Sequence, residues 1–267
     1  MLYEAKNGTL SIDGVTTDYI AFGSGRPLIL LTGLGDGLKT VKNTALPLAL
    51  MYRSFAKNHR VYAISRPNRL EPGCSTRDMA AQVRQSMALL GIEKADVLGV
   101  SQGGMIAQHL ALDDPAAVGK LILAATASRP NALMEACITR WMELARRGRF
   151  GELMRDNIRL MYSEDYYRKN GWLAPIAAKL SKPASIDRFL IMAQACLTHD
   201  CHEKLPLLRS ETLVIGGELD QVLGAQASRD MAALIPSSTL VMYPHLGHAL
   251  YDEAKDFQQV VLNFLDQ

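Results

Sequence analysis

The 267-residue chain predicts an α/β fold: a mostly parallel central sheet with helices on both faces, carrying an all-helical insertion. Three observations carry that prediction. Short apolar runs alternate with helix-length amphipathic segments over the first half of the chain. The strand signal disappears between about Pro130 and Leu207 and resumes at Thr212. Between an apolar run and a helix-like run lies Gly99-Val100-Ser101-Gln102-Gly103, a G-x-S-x-G pentapeptide at a strand-to-helix junction.

Taken in order, Gly8 to Ile12 and Thr16 to Phe22 read as an antiparallel opening pair, followed by a strand from Pro27 to Thr32. Ala45 to Ala56 is helical in pattern and Arg60 to Ser65 is a strand. Thr76 to Leu90 is an amphipathic helix with Thr76 as its N-cap. Ala95 to Val100 is a strand, Met105 to Leu112 a helix, and Leu121 to Thr126 another strand. Ala132 to Arg147, Phe150 to Met161 and Ser185 to Leu197 are helix-like. Thr212 to Gly217 and Ser238 to Tyr243 are strands separated by a helix at roughly Ala225 to Leu234. The expected division is a core of residues 1–129 and 208–267 around a helical insertion of residues 130–207.

Composition bounds the function. With 48% hydrophobic and 21% charged residues, the chain builds one sizeable core. A net charge of +2 implies neither a nucleic-acid nor an anionic-membrane partner. No apolar run approaches bilayer-spanning length, and the first ten residues lack the apolar core of a signal peptide. Cys74, Cys137, Cys196 and Cys201 show no paired spacing, so a reducing, cytoplasmic setting is expected. Oligomeric state is not written in the sequence.

The pentapeptide directs the chemistry. Glycines flanking Ser101 allow a strained turn on which the hydroxyl is exposed, where larger residues would meet crossing backbone. A serine hydroxyl is a poor nucleophile near neutral pH and needs a base, which in turn needs an orienting acid. Downstream, the strand ending at Gly217 runs into Glu218-Leu219-Asp220, and the strand ending at Tyr243 runs into Pro244-His245-Leu246-Gly247-His248. Both loops leave neighbouring strands on the sheet edge where Ser101 emerges. Glu218 competes with Asp220 as the acid, and His245 with His248 as the base. A metal site built from Asp220, His245 and His248 is disfavoured, because H-x-x-H on a loop lacks the i, i+4 helical spacing of common zinc motifs.

These motifs resemble those of α/β-hydrolases of the lid-bearing esterase and lactonase kind, and the resemblance runs nearly end to end. Gly99 to Gly103 is similar to the family's nucleophile turn, Gly217 to Val222 to its acid loop, and Gly247-His248-Ala249 to its histidine loop. The resemblance implies Ser101, Asp220 and His248 as a catalytic triad, with Glu218 shaping the acid loop. Backbone N–H groups must stabilise the oxyanion of acyl transfer. One is that of Gln102, directly after the nucleophile. The other, by similarity of Gly33-Leu34-Gly35 to the family's H-G-x-G loop, is that of Leu34. Thr32 stands where the family commonly has a histidine that braces this loop. A second departure is Ser65-Arg66-Pro67-Asn68-Arg69-Leu70-Glu71-Pro72-Gly73-Cys74-Ser75, in which only Gly73 and Ser75 echo the family's D-x-x-G-x-G-x-S turn.

The family places its lid where the helical insertion stands here. Trp141, Met161 and Met192 are the candidate substrate-lining residues, and Met142, Leu153, Tyr162 and Phe189 are further apolar positions in the insertion. The implied reaction is two-step acyl transfer to water on small carboxylic esters or lactones, with no cofactor and no metal. Carbon–carbon bond hydrolysis and acyl transfer to another acceptor use the same triad, and a ligand receptor retaining it is the non-enzymatic alternative. Gly33 to Thr40 misses both the P-loop and the dinucleotide fingerprint by one position. The Arg146-Arg147-Gly148-Arg149 cluster reads as a solvated helix end, and His199-Asp200 as a hinge or a contact of the insertion.

Overall fold

A computed structural model describes residues 2–181, 183 and 185–267. Residue 1 of the expected core and residues 182 and 184 of the expected insertion lie outside the described residues. Eight strands form one sheet in the order β1-β2-β4-β3-β5-β6-β7-β8. β1 (Lys6–Ile12) and β2 (Val15–Phe22) form an antiparallel hairpin, and β2 pairs antiparallel with β4 (His59–Ile64). The remaining pairs are all parallel: β3 (Arg26–Leu31), β4, β5 (Ala95–Val100), β6 (Val118–Ala124), β7 (Thr212–Gly217) and β8 (Ser238–Tyr243). The predicted fold class is therefore the observed one. β7 is buried at every position, as a parallel strand covered on both faces must be, whereas β8 at the edge is only partly covered.

Two apolar layers enclose the sheet. α2 (Thr76–Leu89), α3 (Gln102–Asp113) and α9 (Ala225–Leu234) pack on one face. α1 (Ala45–Met51) and α11 (Phe257–Leu265), preceded by the short α10 (Leu250–Glu253), pack on the other. Between β6 and β7 come α4 (Ala132–Arg146), α5 (Phe150–Met161), α6 (Glu164–Asn170), α7 (Ala174–Ser181) and α8 (Asp187–Leu197). Met134, Trp141, Leu153, Phe189 and Met192 of these helices are continuous with the α2/α3 core. No helix among the described residues is long and apolar enough to cross a membrane.

Four local expectations change. The strand expected over Leu121 to Thr126 runs over Val118–Ala124 instead. The helix from Ala45 stops at Met51, because the chain turns at Tyr52 to bury Tyr52 and Phe55 as a ring pair 5.9 Å apart. The cap of α2 is Ser75 rather than Thr76: a capping box needs an acid three residues on, and Asp78 supplies it while Met79 cannot. α6 and α7 are additional helices; α6 buries none of its residues and so carries no apolar periodicity to read.

The order of the strands positions the site. β3 lies between β4 and β5, so the loops leaving β3 and β5 open side by side at the topological switch point. Leu31 pairs in register with Gly99, which sets the Gly33–Gly37 loop next to Ser101.

Candidate active site

Ser101 is held at φ 53° and ψ −121°, in a region that costs a non-glycine residue about 1–3 kcal/mol. Its neighbours fix it there. Its N–H donates to Ala124 O at 2.9 Å, and its carbonyl accepts from Thr126 Oγ1 at 2.7 Å. The glycines are required by close approach. A Cβ on Gly99 would lie 2.6 Å from Gly104 Cα, and one on Gly103 would overlap the Leu31 carbonyl.

β7 and β8 deliver the partners. Leu219 N–H donates to Leu246 O, which stitches the loop after β7 to the loop after β8. His248 Nε2 lies 3.0 Å from Ser101 Oγ, and His248 Nδ1 lies 2.9 Å from Asp220 Oδ2. Asp220 Oδ1 accepts the N–H groups of Val222 at 2.8 Å and Leu223 at 2.9 Å. Burial alone would raise the Asp220 pKa. The His248 imidazole and the two backbone donors outweigh it and hold the carboxyl below its ordinary value. An ionised Asp220 accepts from Nδ1–H, which leaves the Nε2 lone pair facing the serine hydroxyl. Asp220 and His248 are both buried, at 8% and 2% exposure.

The competing residues sit elsewhere. Glu218 pairs with Arg229, and His245 is exposed on the turn after β8. The Leu34 and Gln102 N–H groups have no acceptor among the described residues, at the starts of a 3₁₀ turn (Leu34–Gly37) and of α3. A cavity of about 490 Å³ opens over Ser101 and His248, walled by Leu30, Val41, Leu48, Tyr52 and Val100 of the core. Trp141 and Met161 are on its wall. Met192 is not: it is fully buried on the side of α8 that faces Gly37. The end of α5 meets the histidine loop directly, where Ala249 N–H donates to Met161 O at 2.7 Å.

Two groups of residues go beyond the sequence reading. Arg66, from the departure after β4, is fully buried and donates from Nη2 to Gly33 O at 2.7 Å. Asp36 lies between Arg66 and Arg188 of α8. The unusual arginine was visible in the sequence, but its partners were not. The second group is His109, His199 and Cys201, clustered in the interior. His199 Nδ1 lies 2.9 Å from Thr76 Oγ1, so the insertion contacts α2 here. Cys201 Sγ is 3.4 and 3.5 Å from the two ring nitrogens of His109. A sulfur so nearly equidistant lies over the ring face, since in the ring plane it would overlap ring carbons. The contact is packing, not ligand geometry. In the Arg146–Arg149 stretch, Arg147 and Arg149 pair with Glu143 and Glu152, as a solvated helix end would. All four cysteines are unpaired.

Residues 26–255 match the alpha/beta hydrolase fold family. The chain belongs to that family. Among its relatives, the chain is 28% identical over 269 residues to the 2-hydroxymuconate semialdehyde hydrolase of a Pseudomonas species, covering 94% of this chain and 91% of the relative. It is 27% identical over 247 residues to a Caulobacter protein provisionally named carbamate hydrolase RutD, covering 89% and 90%. Of solved structures, the enol-lactonase from Burkholderia xenovorans superposes with a TM-score of 0.84 at 17% identity, over 97% of this chain and all of that one. Family membership makes the chain a hydrolase by kinship; the relatives act on different bonds.

Proposed function

We propose that this protein is a serine hydrolase that cleaves small carboxylic esters or lactones through an acyl-enzyme. The observation carrying this reading is the continuous chain Ser101–His248–Asp220, with contacts of 3.0 and 2.9 Å, at the base of a largely apolar cavity. His248 takes the Ser101 proton as Oγ attacks the carbonyl carbon, while Asp220 holds the imidazole tautomer and stabilises the imidazolium. The Leu34 and Gln102 N–H groups receive the oxyanion. The imidazolium then protonates the leaving alcohol. Water, deprotonated by His248, releases the acyl group as a carboxylic acid.

The helical segment 130–207 is the lid in this reading, with Trp141 and Met161 as its contribution to the cavity wall. A cavity of about 490 Å³ suits a small substrate, at the lower part of the range for ligand sites. A second reading is carbon–carbon bond hydrolysis on the same residues, favoured by the similarity to 2-hydroxymuconate semialdehyde hydrolase. The test is hydrolysis of p-nitrophenyl esters from acetate to decanoate beside a dienone acid, with Ser101→Ala as control. Ester turnover abolished by the substitution supports the first reading. Cleavage of the dienone acid with little ester turnover selects the second. Turnover of neither above the Ser101→Ala background would count against both.

A further inference from the structure

Resting on the serine-hydrolase reading, we infer that helix α8 is the common brace of both halves of the oxyanion hole, acting through Arg188 on one half and the Gln102 side chain on the other. α8 belongs to the helical insertion, yet it is fastened to the core on either side of the nucleophile.

The first half is the Gly33–Leu34 peptide. Its carbonyl accepts from Arg66 Nη2 at 2.7 Å and from the Asp36 N–H at 3.2 Å. In a planar trans peptide the C=O and the following N–H point in opposite directions. Anchoring Gly33 O towards Arg66 therefore turns the Leu34 N–H the other way. Arg66 thereby does what the histidine missing at Thr32 does in the family's loop. The loop is held in turn by α8. Arg188 donates to the Asp36 carboxylate and the Asp36 carbonyl, to Arg66 O at 2.8 Å and to Pro67 O at 2.8 Å. One guanidinium fork thus spans the Gly33–Gly37 loop and the segment after β4, with its side chain only 11% exposed and that of Asp36 1%.

The second half is Gln102. Its backbone N–H is the other donor, while its side-chain Nε2 donates to Met192 O of α8 at 2.6 Å and to Cys196 Sγ at 3.0 Å. Between the two anchors the surfaces touch directly: a Cβ on Gly37 would lie 2.9 Å from Phe189 Cα. The spacing of the two oxyanion donors is therefore set through one helix that contacts the segment carrying each: Asp36 and Gly37 beside Leu34, and the side chain of Gln102. Arg66, Arg188 and the Gln102 side chain are positioning residues.

The test uses Arg188→Gln, Arg188→Lys and Gln102→Met, each checked for an unchanged fold by thermal melting. The readouts are kcat and KM for the best p-nitrophenyl ester and the affinity of a matched pair of ketones. A trifluoromethyl ketone adds to Ser101 Oγ, its carbonyl π pair becoming an oxyanion and the serine proton passing to His248. The corresponding methyl ketone binds without adding. Displaced oxyanion donors cost on the order of tenfold to a hundredfold. Arg188→Gln and Gln102→Met should lower kcat by about that factor with KM changed less than about threefold. They should weaken the trifluoromethyl ketone by a similar factor and leave the methyl ketone unchanged. Arg188→Lys, which keeps the charge opposite Asp36 but not the fork, should recover part of the loss. Equal weakening of both ketones, or folded variants within about threefold of the parent in kcat, overturns the inference. If Arg188→Gln does not fold, Gln102→Met decides alone, since it leaves no unpaired charge. Unaltered turnover in Ser101→Ala would instead remove the serine-hydrolase reading.

Discussion

Three histidines outside the candidate site are packed away from water: His59, His109 and His199, at 0%, 7% and 1% exposure. Burial lowers all three, His109 to about 4 and His199 to about 3. In the unfolded chain each titrates near its ordinary value of about 6.5. Below that pH the unfolded state takes up protons that the native state refuses, so stability falls as pH falls. Each such imidazole contributes up to ~1.4 kcal/mol per pH unit, until the native value is reached. From pH 5.5 to 4.5, His109 and His199 together cost about 2.5 kcal/mol, and His59 adds to it in the same direction. With a urea slope of about 3 kcal/mol per molar, the midpoint falls by roughly 1 M over that single unit. Asp220 acts in a separate window. Its folded value is depressed, so its contribution is complete above the unfolded carboxylate range and is lost only as pH falls through the folded value. Urea unfolding followed by circular dichroism at pH 7.5, 6.5, 5.5 and 4.5 measures the slope, and His199→Gln should flatten it. A midpoint constant to within about 0.2 M across the series, or an unchanged slope in His199→Gln, would refute the reasoning.

Further outcomes concern the site. Ser101→Ala and His248→Ala should each reduce kcat by several orders of magnitude, and the double variant should be little worse; additive losses in steady-state assays would contradict a shared mechanism. Asp220→Asn should cost about a thousandfold or more, whereas Glu218→Gln, which breaks only the pair with Arg229, should stay within a few-fold. A reversed ranking would move the acid to Glu218. Gly103→Ala should lose about 3 kcal/mol or more in urea unfolding, because the new Cβ meets backbone on β3 that cannot yield. Gly151→Ala, in an exposed turn of α5 with open space around it, should instead gain up to ~1 kcal/mol.

Much of the fold was legible in the sequence because its signals are local. β5, α5, α9, β7 and β8 have the predicted bounds, each resting on an apolar run or a helical period closed by glycine, proline or a change of period. The order serine, acid, histidine placed Ser101, Asp220 and His248 at strand ends, and parallel neighbours bring those ends together. Ser75 as the cap of α2 is legible too, because Asp78 stands three residues on. Trp141, Met161 and Met192 were not separable in the same way. All three are apolar positions on helices of the insertion, and only the packing of α8 against Gly37 turns Met192 away from the cavity that the other two reach.

The sequence by itself determined all eight strands and most of the helices, though not α6 and α7, where the chain must turn tightly at Gly99 and Gly103, and in what order the reactive residue types occur. Periodicity, capping and steric fit within a few residues are enough for that. The tertiary structure decided the charge network and the cavity. Arg66 and Asp36 are 30 residues apart, Arg188 and Asp36 152, and Gln102 and Cys196 94. Such partners are chosen by the crossing of the sheet and the return of the insertion over it. In isolation Arg66 and Arg188 are two of many surface-type cations. The fold removes them from water beside a single carboxylate and a row of carbonyls, where a guanidinium fork has a defined geometry to satisfy.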